Sequence, residues 1–454
     1  MDLKEIHKIY FIGIGGIGMS ALARYFKAIG RDVSGYDKTP TALTRSLEAE
    51  GIAVYFDDNV DRAPKDADLV VFTPAIPQNH RELNYFQSNN YPVMKRSEVL
   101  GLITENTYTI AVAGTHGKTT TSSIIAHILK YSNVDCTAFL GGILQGYESN
   151  LLLSGDLSTT VVEADEYDRS FLTLAPDIAI VTSMDADHLD IYGSKNNIEE
   201  SFTLFAQKVS DNGLLIFKKG LEFSSPVDRK SITYSLSEIA DYYAQNITVK
   251  DGLYEFDVVT ATGSIEGLQL GIPGRHNIEN ALAAIAVAFE MGVSETDLRN
   301  ALQAYKGVKR RFEYLIKTDR LVFIDDYAHH PAELTACIGS VREMYPERKI
   351  TGIFQPHLFS RTRDFEDEFA RSLELLDQVI LLDIYPAREA PIEGVTSGHL
   401  LSKIGLKEKS LESKSSLLSE LENSNVQVLL TLGAGDIDEL LDSIKSTLLT
   451  KIEN

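Results

Sequence analysis

Residues 108–120, YTIAVAGTHGKTT, constrain the fold of this chain more than any other stretch. Residues 108–113 are an apolar run of strand length, 114–118 a loop with two glycines, and 119–131 a segment of helical spacing. A strand that turns through glycine straight into a helix is half of a βαβ unit, and such units build parallel sheets covered by helices. The flanking sequence repeats this grammar. Upstream, residues 8–12, 32–36 and 69–72 read as strands, with a Gly-rich turn after the first and a helix over 19–29 that stops at Gly30. Downstream, 160–163 and 178–182 are buried-type strands ending in carboxylates or hydroxyls. Further strands at 321–324, 350–354, 379–384 and 426–432 alternate with helical segments, the last over 437–449. Residues 247–270 alternate polar and apolar side chains around the turn signals Asp251-Gly252 and Thr262-Gly263, which predicts an antiparallel appendage, and a helix over 278–290 follows. The polar stretch 403–420 is helix-prone and reads as solvated surface. At roughly 100–200 residues per domain, 454 residues make about three domains, here three α/β segments at 1–105, 106–313 and 314–454.

In the central loop, glycines let backbone N–H groups close on phosphate oxygens, and a helix N-terminus favours negative charge. Gly114, Thr115, His116, Gly117, Lys118, Thr119 and Thr120 are therefore the candidate seat of a nucleotide phosphate chain. Lys118 would reach the β/γ-phosphates and Thr119 would offer its hydroxyl to Mg²⁺. The match to the long Walker A pattern is imperfect, because its first glycine falls on Ala111. An ordinary turn with a surface lysine is the bland alternative, and a GKT run between a strand and a helix speaks against it. Glu163, in EADE, and His188, in DADH, each follow a strand of the same sheet, at the edge where open parallel sheets bind ligands. Either alone would read as a solvated polar residue. Together with the loop they become candidates for the metal side of the site.

Gly13-Ile14-Gly15-Gly16-Ile17-Gly18, with Asp37 about twenty residues on, satisfies a dinucleotide fingerprint. A bare reading gives a nicotinamide site, yet glycines name no nucleotide and a fold names no function. Near 325–331, DDYAHHP offers Asp326 to a ribose hydroxyl or, more simply, as the N-cap of a helix starting at Pro331. Arg361 and Arg363, in HLFSRTRD, could grip a carboxylate or phosphate, or form surface salt bridges.

Net charge is -22, with 43 basic and 65 acidic residues, which removes the basic footprint that nucleic-acid binding requires. Small anions remain compatible, because local loops and helix ends hold them. Two cysteines, Cys136 and Cys337, argue against a disulfide framework and fit a reducing cytosol. No apolar run reaches the roughly 18 residues of a membrane span, and the first residues enter a strand without a signal-peptide pattern.

Taken in order, GIGGIGMS, AGTHGKTT, EADE with a following DRSF, DADH, PGRHNIENA, KRRFE, DDYAHHPAE and FQPHLFSRTRD resemble the Mur ligase family, over nearly the whole chain. The resemblance implies a UDP-binding Rossmann-like domain, a central P-loop ATPase-like domain and a C-terminal Rossmann-like domain. It implies an ATP-dependent amide ligase of the cytoplasm, acting in peptidoglycan synthesis, that adds L-alanine to the lactyl carboxylate of UDP-N-acetylmuramate through an acyl-phosphate. ATP and Mg²⁺ would be its cofactors, and the protein a monomer or homodimer. Lys118 would contact the ATP phosphates, and Thr119, Glu163 and His188 the metal. Asn277 and Asn280 would face adenine, Arg311 a phosphate, and Asp326 the ribose. Tyr327, His329 and Arg361 would surround the amino acid, with His329 as proton acceptor or amine positioner. Gly15, Gly16, Ile17, Gly18 and Asp37 would face UDP, which makes the nicotinamide fingerprint a decoy. Three departures stand out: Leu358 where some members have Arg, Tyr167 where many have Ser, and no clear counterpart of the carbamylated lysine of several sister ligases. The rival readings are a recycling ligase that adds a whole peptide to the same sugar nucleotide, a nicotinamide-dependent dehydrogenase module in 1–105, and a non-catalytic nucleotide-binding protein.

Overall fold

The structure, a computed structural model, describes residues 3–185, 192–250, 252–387 and 389–453. Among them the strands form three sheets. The first holds β1 (Lys8–Ile12), β2 (Asp32–Tyr36), β3 (Ala53–Tyr55), β4 (Leu69–Phe72) and β5 (Val93–Lys95), all parallel, in the order β3-β2-β1-β4-β5. The second holds β6 (Tyr108–Ala113), β7 (Thr137–Leu144), β8 (Ser149–Leu152), β9 (Thr159–Glu163), β10 (Ile178–Val181), β11 (Leu214–Lys218), β12 (Lys230–Ser235), β13 (Tyr242–Lys250), β14 (Leu253–Thr260) and β15 (Gly263–Gln269). Its order is β15-β14-β13-β12-β11-β10-β6-β9-β7-β8. The third holds β16 (Glu313–Lys317), β17 (Val322–Asp326), β18 (Ile350–Phe354), β19 (Gln378–Leu381), β20 (Glu408–Leu411) and β21 (Val428–Leu432), in the order β16-β17-β21-β18-β19-β20.

The parallel strands are apolar throughout because both their faces are covered. Every residue of β10, β17, β18 and β21 is buried. By contrast β14 alternates buried and half-buried residues. The neighbours β13, β14 and β15 are joined by connections too short for a crossover, so this is the antiparallel appendage expected over 247–270. Residues 403–420 differ from their expected reading as solvated helix. They contain β20, an edge strand parallel to β19, and three of its four residues are exposed, so no apolar pattern marks it. β7 and β8 are equally faint in sequence: β7 carries a Gly-Gly pair and β8 has only four residues.

By internal contacts the chain divides into two compact units, one of Met1–Asn246, Phe256–Gln269 and Ile278–Lys306, the other of Ile247–Glu255, Leu270–Asn277 and Gly307–Asn454. Within the first unit, a single apolar core runs from Phe11, Phe26 and Val71 through Phe139 to Phe171, Phe202 and Phe205. Tyr10, Ile12, Val70 and Phe86 cover the opposite face of the first sheet. In the second unit, successive residues of each strand enter opposite cores. Ile324, Phe354 and Leu430 pack on one face, and Phe323, Ile353 and Leu429 on the other.

This topology places the glycine turns. β1 lies between β2 and β4, and β6 between β9 and β10, so the turns after β1 and β6 open at the points where the winding direction reverses, which is where open α/β sheets bind ligands. The loop after β9 is secured differently. A 3₁₀ segment, Tyr167–Thr173, is broken at Asp168 (φ 53°) and Arg169 (φ 54°) and drives Phe171 into the core. There Phe171 stacks on Phe205 at 5.1 Å and meets Phe202 edge-on at 5.3 Å. Phe171→Ala should cost about 3–5 kcal/mol, seen as a clear drop in Tm, and an unchanged Tm would mean that this anchor does not hold the loop.

Candidate active site

The helix Lys118–Tyr131 begins at Gly117, whose backbone is left-handed (φ 85°) and which no side chain caps. A Cβ there would stand 2.5 Å from Asn280 Oδ1, so both conformation and space require glycine. An uncapped helix end leaves its first N–H groups for an anion. The loop is held from the neighbouring strand end. Ser183 Oγ accepts from the His116 N–H at 2.8 Å and lies 2.8 Å from Thr115 Oγ1, while Thr182 Oγ1 donates to the carbonyls of Ala113 and His116. Thr120 is buried in the first turn of the same helix. Nothing but the hydroxyl-rich end of β10 hinted at Thr182 and Ser183 in the sequence.

Lys118 Nζ donates to the Gly114 carbonyl at 2.7 Å and to Glu166 at 2.9 Å. Lysine and glutamate side chains are 14% and 2% exposed, so the pair is out of water. Burial alone would lower the lysine pKa, but the charges of Glu166, Asp165 and Glu163 outweigh it and hold Lys118 cationic. Glu166 is the functional neighbour that the sequence reading passes over in favour of Glu163 in the same motif. Glu163 itself accepts from Thr119 Oγ1 at 2.8 Å and from the Gly141 N–H at 3.1 Å. The two residues expected on the metal side thus meet, presenting oxygens of the kind a hard divalent cation takes. Among the described residues no cluster of three or more His, Cys, Asp or Glu could hold a metal. Two protein oxygens completed by water and phosphate is the usual arrangement for Mg²⁺. His188, the third expected ligand, lies outside the described residues.

A cleft of about 300 Å³ joins this carboxylate to the first glycine turn, with Gly16, Ile17, Gly18 and Arg96 on one side and Gly141, Glu163 and Asp165 on the other. The helix Ile17–Ala28 starts at Gly16, again without a side-chain cap. Arg96 lies against Gly18, where a Cβ would be 2.9 Å from its Nη1, and 3.7 Å from Asp165. Asp37 accepts from the Gly15 N–H at 2.8 Å, so the turn itself engages the acid that a nicotinamide reading would assign to ribose.

In the second unit, Asp326 is buried and receives the N–H groups of Phe312 (2.7 Å) and Ala328 (2.8 Å). Burial pushes its carboxyl up to about 6, against the pull of Arg311. It is not the N-cap of the following helix, Pro331–Met344. His330 holds that position, with Glu333 completing a capping box, because only a residue adjacent to the first turn can reach its N–H groups. The Arg311 guanidinium lies 4.9 Å from the Tyr327 ring centre. Asn277 is buried and gives its amide to the Pro273 carbonyl at 2.5 Å. His329 Nδ1 is 2.9 Å from the Tyr327 carbonyl, to which it donates, and 3.3 Å from Glu333 Oε2. The His329 ring is 6.0 Å from that of His357, which stacks on Tyr385 at 5.8 Å and lies 3.5 Å from Arg361. Tyr327, His329 and Arg361 therefore gather with two further aromatic rings. His357 stands in a motif already singled out, and Tyr385 has no sequence signal. Arg363 is exposed and pairs with adjacent Asp364, the bland outcome for that residue. Leu358, at φ 71°, precedes the short helix Phe359–Asp364.

Residues 8–108 match the family described as "Mur ligase family, catalytic domain", 112–288 the "Mur ligase middle domain", and 310–436 the "Mur ligase, glutamate ligase domain". The chain is 54% identical over 452 residues to the UDP-N-acetylmuramate–L-alanine ligase of Flavobacterium psychrophilum and 52% identical to that of Flavobacterium johnsoniae, each comparison covering 99% of both chains. Among solved structures, UDP-N-acetylmuramate-alanine ligase MurC from Thermotoga maritima aligns with a TM-score of 0.84 at 28% identity, over 98% of this chain and 99% of that one. A murein peptide ligase from Psychrobacter arcticus shares the fold, with a TM-score of 0.74 at 22% identity over 97% and 98%.

Because the folded-state pKa of Asp326 is raised, its proton is bound more tightly in the native state than in the unfolded chain. That contribution to stability is full below about pH 4 and is lost as pH rises through about 6. Wild type should therefore gain on Asp326→Asn by up to about 3 kcal/mol between pH 7 and pH 4, read as a wild-type Tm that moves upward relative to that of the variant, whereas a difference independent of pH would contradict the raised value.

Proposed function

The chain belongs to the Mur ligase family, and on that footing we propose that it joins L-alanine to UDP-N-acetylmuramate while converting ATP to ADP and phosphate. The observation that carries this reading is the cleft running from the uncapped helix end at Gly16–Gly18 to Glu163, whose carboxylate accepts from Thr119 beside Lys118. A molecule anionic at one end and carboxylic at the other, with a sugar between, matches the chemistry of its two ends. The full-length relatives at 54% and 52% identity favour L-alanine as acceptor. The likeness to the peptide-adding enzyme, at 22%, speaks for the fold alone.

In this proposal the protein divides at 1–105, 106–313 and 314–454. Gly15, Gly16, Ile17 and Gly18 receive the diphosphate of the sugar nucleotide, and Asp37 stiffens their turn through Gly15. Gly114 to Thr120 seat the ATP phosphates, with Asn280 against Gly117. Asn277, Arg311 and Asp326 serve the adenosine side. Thr119 and Glu163, with His188, would hold Mg²⁺, which would neutralise charge on the transferring phosphoryl group.

A lactyl carboxylate oxygen attacks the γ-phosphorus, the bond to the β-γ bridging oxygen breaks, and ADP carries away that electron pair. Lys118, held cationic, faces the charge that spreads over the transferring group. The neutral amine of L-alanine then attacks the acyl carbon, the tetrahedral adduct expels phosphate, and the amide forms. The amine sheds a proton in this step. His329, its ring oriented by the Tyr327 carbonyl and beside Glu333, would accept it, while Arg361 and Tyr327 would orient the amino acid. Among the described residues no helix is long and apolar enough to cross a membrane, which agrees with the cytoplasmic setting proposed here.

Lys118→Ala should lower phosphate release by at least about 10³-fold, on the scale of a lost transition-state charge contact, while UDP-N-acetylmuramate still binds in a calorimeter. Near-wild-type turnover would overturn the assignment. Product masses from ATP, the sugar nucleotide, L-alanine and a competing tripeptide would identify the acceptor. Glu163→Gln should raise the Mg²⁺ concentration needed for half-maximal rate by at least about tenfold, and an unchanged requirement would remove Glu163 from the metal.

A further inference from the structure

Arg24, Asn150 and Ser20 are buried together at a place where the proposed reaction calls for no polar group. Arg24, on the helix Ile17–Ala28, gives Nε and Nη2 to the two carboxylate oxygens of Glu50 at 2.8 and 2.7 Å, and Nη1 to Asn150 Oδ1. Asn150, fully buried on β8, turns its amide NH₂ to the Ile17 carbonyl at 2.5 Å and to Ser20 Oγ at 3.0 Å. Ser20 Oγ in turn donates to the same Ile17 carbonyl at 3.0 Å. Both ends of the Asn150 amide are thus spent on one helix, and its donor end on the first turn, which lines the cleft. On its other side β8 pairs with β7, whose Gly141 N–H holds Glu163 and borders the same cleft.

Attraction between these layers does not need such a network. Tyr25 already packs against Phe139 at 5.3 Å, and the apolar core is continuous around them. What directional hydrogen bonds add is register: they fix one placement where apolar contact tolerates several. We propose that Asn150 is a positioning residue for the sugar nucleotide, setting the helix end that receives its diphosphate at the spacing from Glu163 that brings the lactyl carboxylate to the γ-phosphate. The inference rests on the ligase reading above. Its physical warrant is the steep dependence of rate on reactant placement, where about 1 Å can cost about 10²-fold.

Asn150→Asp keeps the Arg24 contact and removes the one that sets the helix end. The new carboxylate still accepts from Arg24 but has no N–H for the Ile17 carbonyl. Tm should fall, because two buried oxygens then face each other, so rates are compared at equal folded fraction. On that basis the affinity for a non-hydrolysable ATP analogue should be unchanged, while KM for UDP-N-acetylmuramate rises by about tenfold or more and kcat falls with it. Ser20→Ala, which leaves the Arg24 contact intact, should raise the same KM by a smaller factor, and it decides the matter if the aspartate variant does not fold. Wild-type kinetics in the variant that folds would overturn the proposal. So would a loss matched by the unfolded fraction, or an equal rise in KM for ATP. Wild-type enzyme assayed alongside keeps the two readings apart: failure to form the L-alanyl product would sink the ligase reading, whereas product formation with unaffected variants would sink only the role of Asn150.

Discussion

A lysine ammonium taken out of water needs a counter-charge, and at Lys118 Glu166 supplies it. The pair ties the phosphate loop after β6 to the carboxylate loop after β9, and the bond from Thr119 to Glu163 ties them a second time, one residue along the helix. Two strands that are neighbours in the sheet are thereby locked at their C-terminal ends. In the proposed reaction a nucleotide and its cation would compete with these carboxylates for the same lysine and hydroxyl, which the two contacts hold in place.

Two helices in the first unit, starting at Gly16 and Gly117, lack a side-chain cap, whereas the helix after Asp326 is closed by His330 and Glu333. An open helix end is a partial positive charge offered to a ligand, and a capped end is one already satisfied. The second unit contributes a different chemistry: a buried acid that receives two backbone N–H groups, and a cluster of His329, His357, Arg361, Tyr327 and Tyr385 suited to a small zwitterion. On the proposed reading, nucleotide phosphate and amino acid would call on physically distinct surroundings.

The polar network around Asn150 shows a third level of organisation. Its members come from the helix after the first glycine turn, from Ser46 and Glu50 of the next helix region, and from β8 of the second sheet. Ser20 closes the GIGGIGMS motif, but Arg24, Ser46, Glu50 and Asn150 belong to none of the motifs read from the sequence. Buried polar groups impose one geometry where an apolar layer would slide, and the helix they fix borders the cleft.

Strand and helix alternation, the two glycine turns, the antiparallel appendage and the order of the motifs were legible in the sequence. They depend on local periodicity and on backbone conformations that only certain residues adopt, as at Gly117 with its positive φ. Glu163, Thr119 and Lys118 could be picked out because their spacing along a strand and a helix start is itself the chemical signal. Tertiary structure alone decided that Glu166 rather than solvent holds Lys118, that Asp37 serves Gly15, that His330 rather than Asp326 caps its helix, and that Tyr385 and Asn150 belong beside functional elements. Each of those pairings except the His330 cap joins residues more than twenty positions apart, and the cap turned on which of several nearby polar groups reached the helix end. Composition and periodicity carry no information about such choices until the sheets are assembled and burial makes every unsatisfied polar group costly.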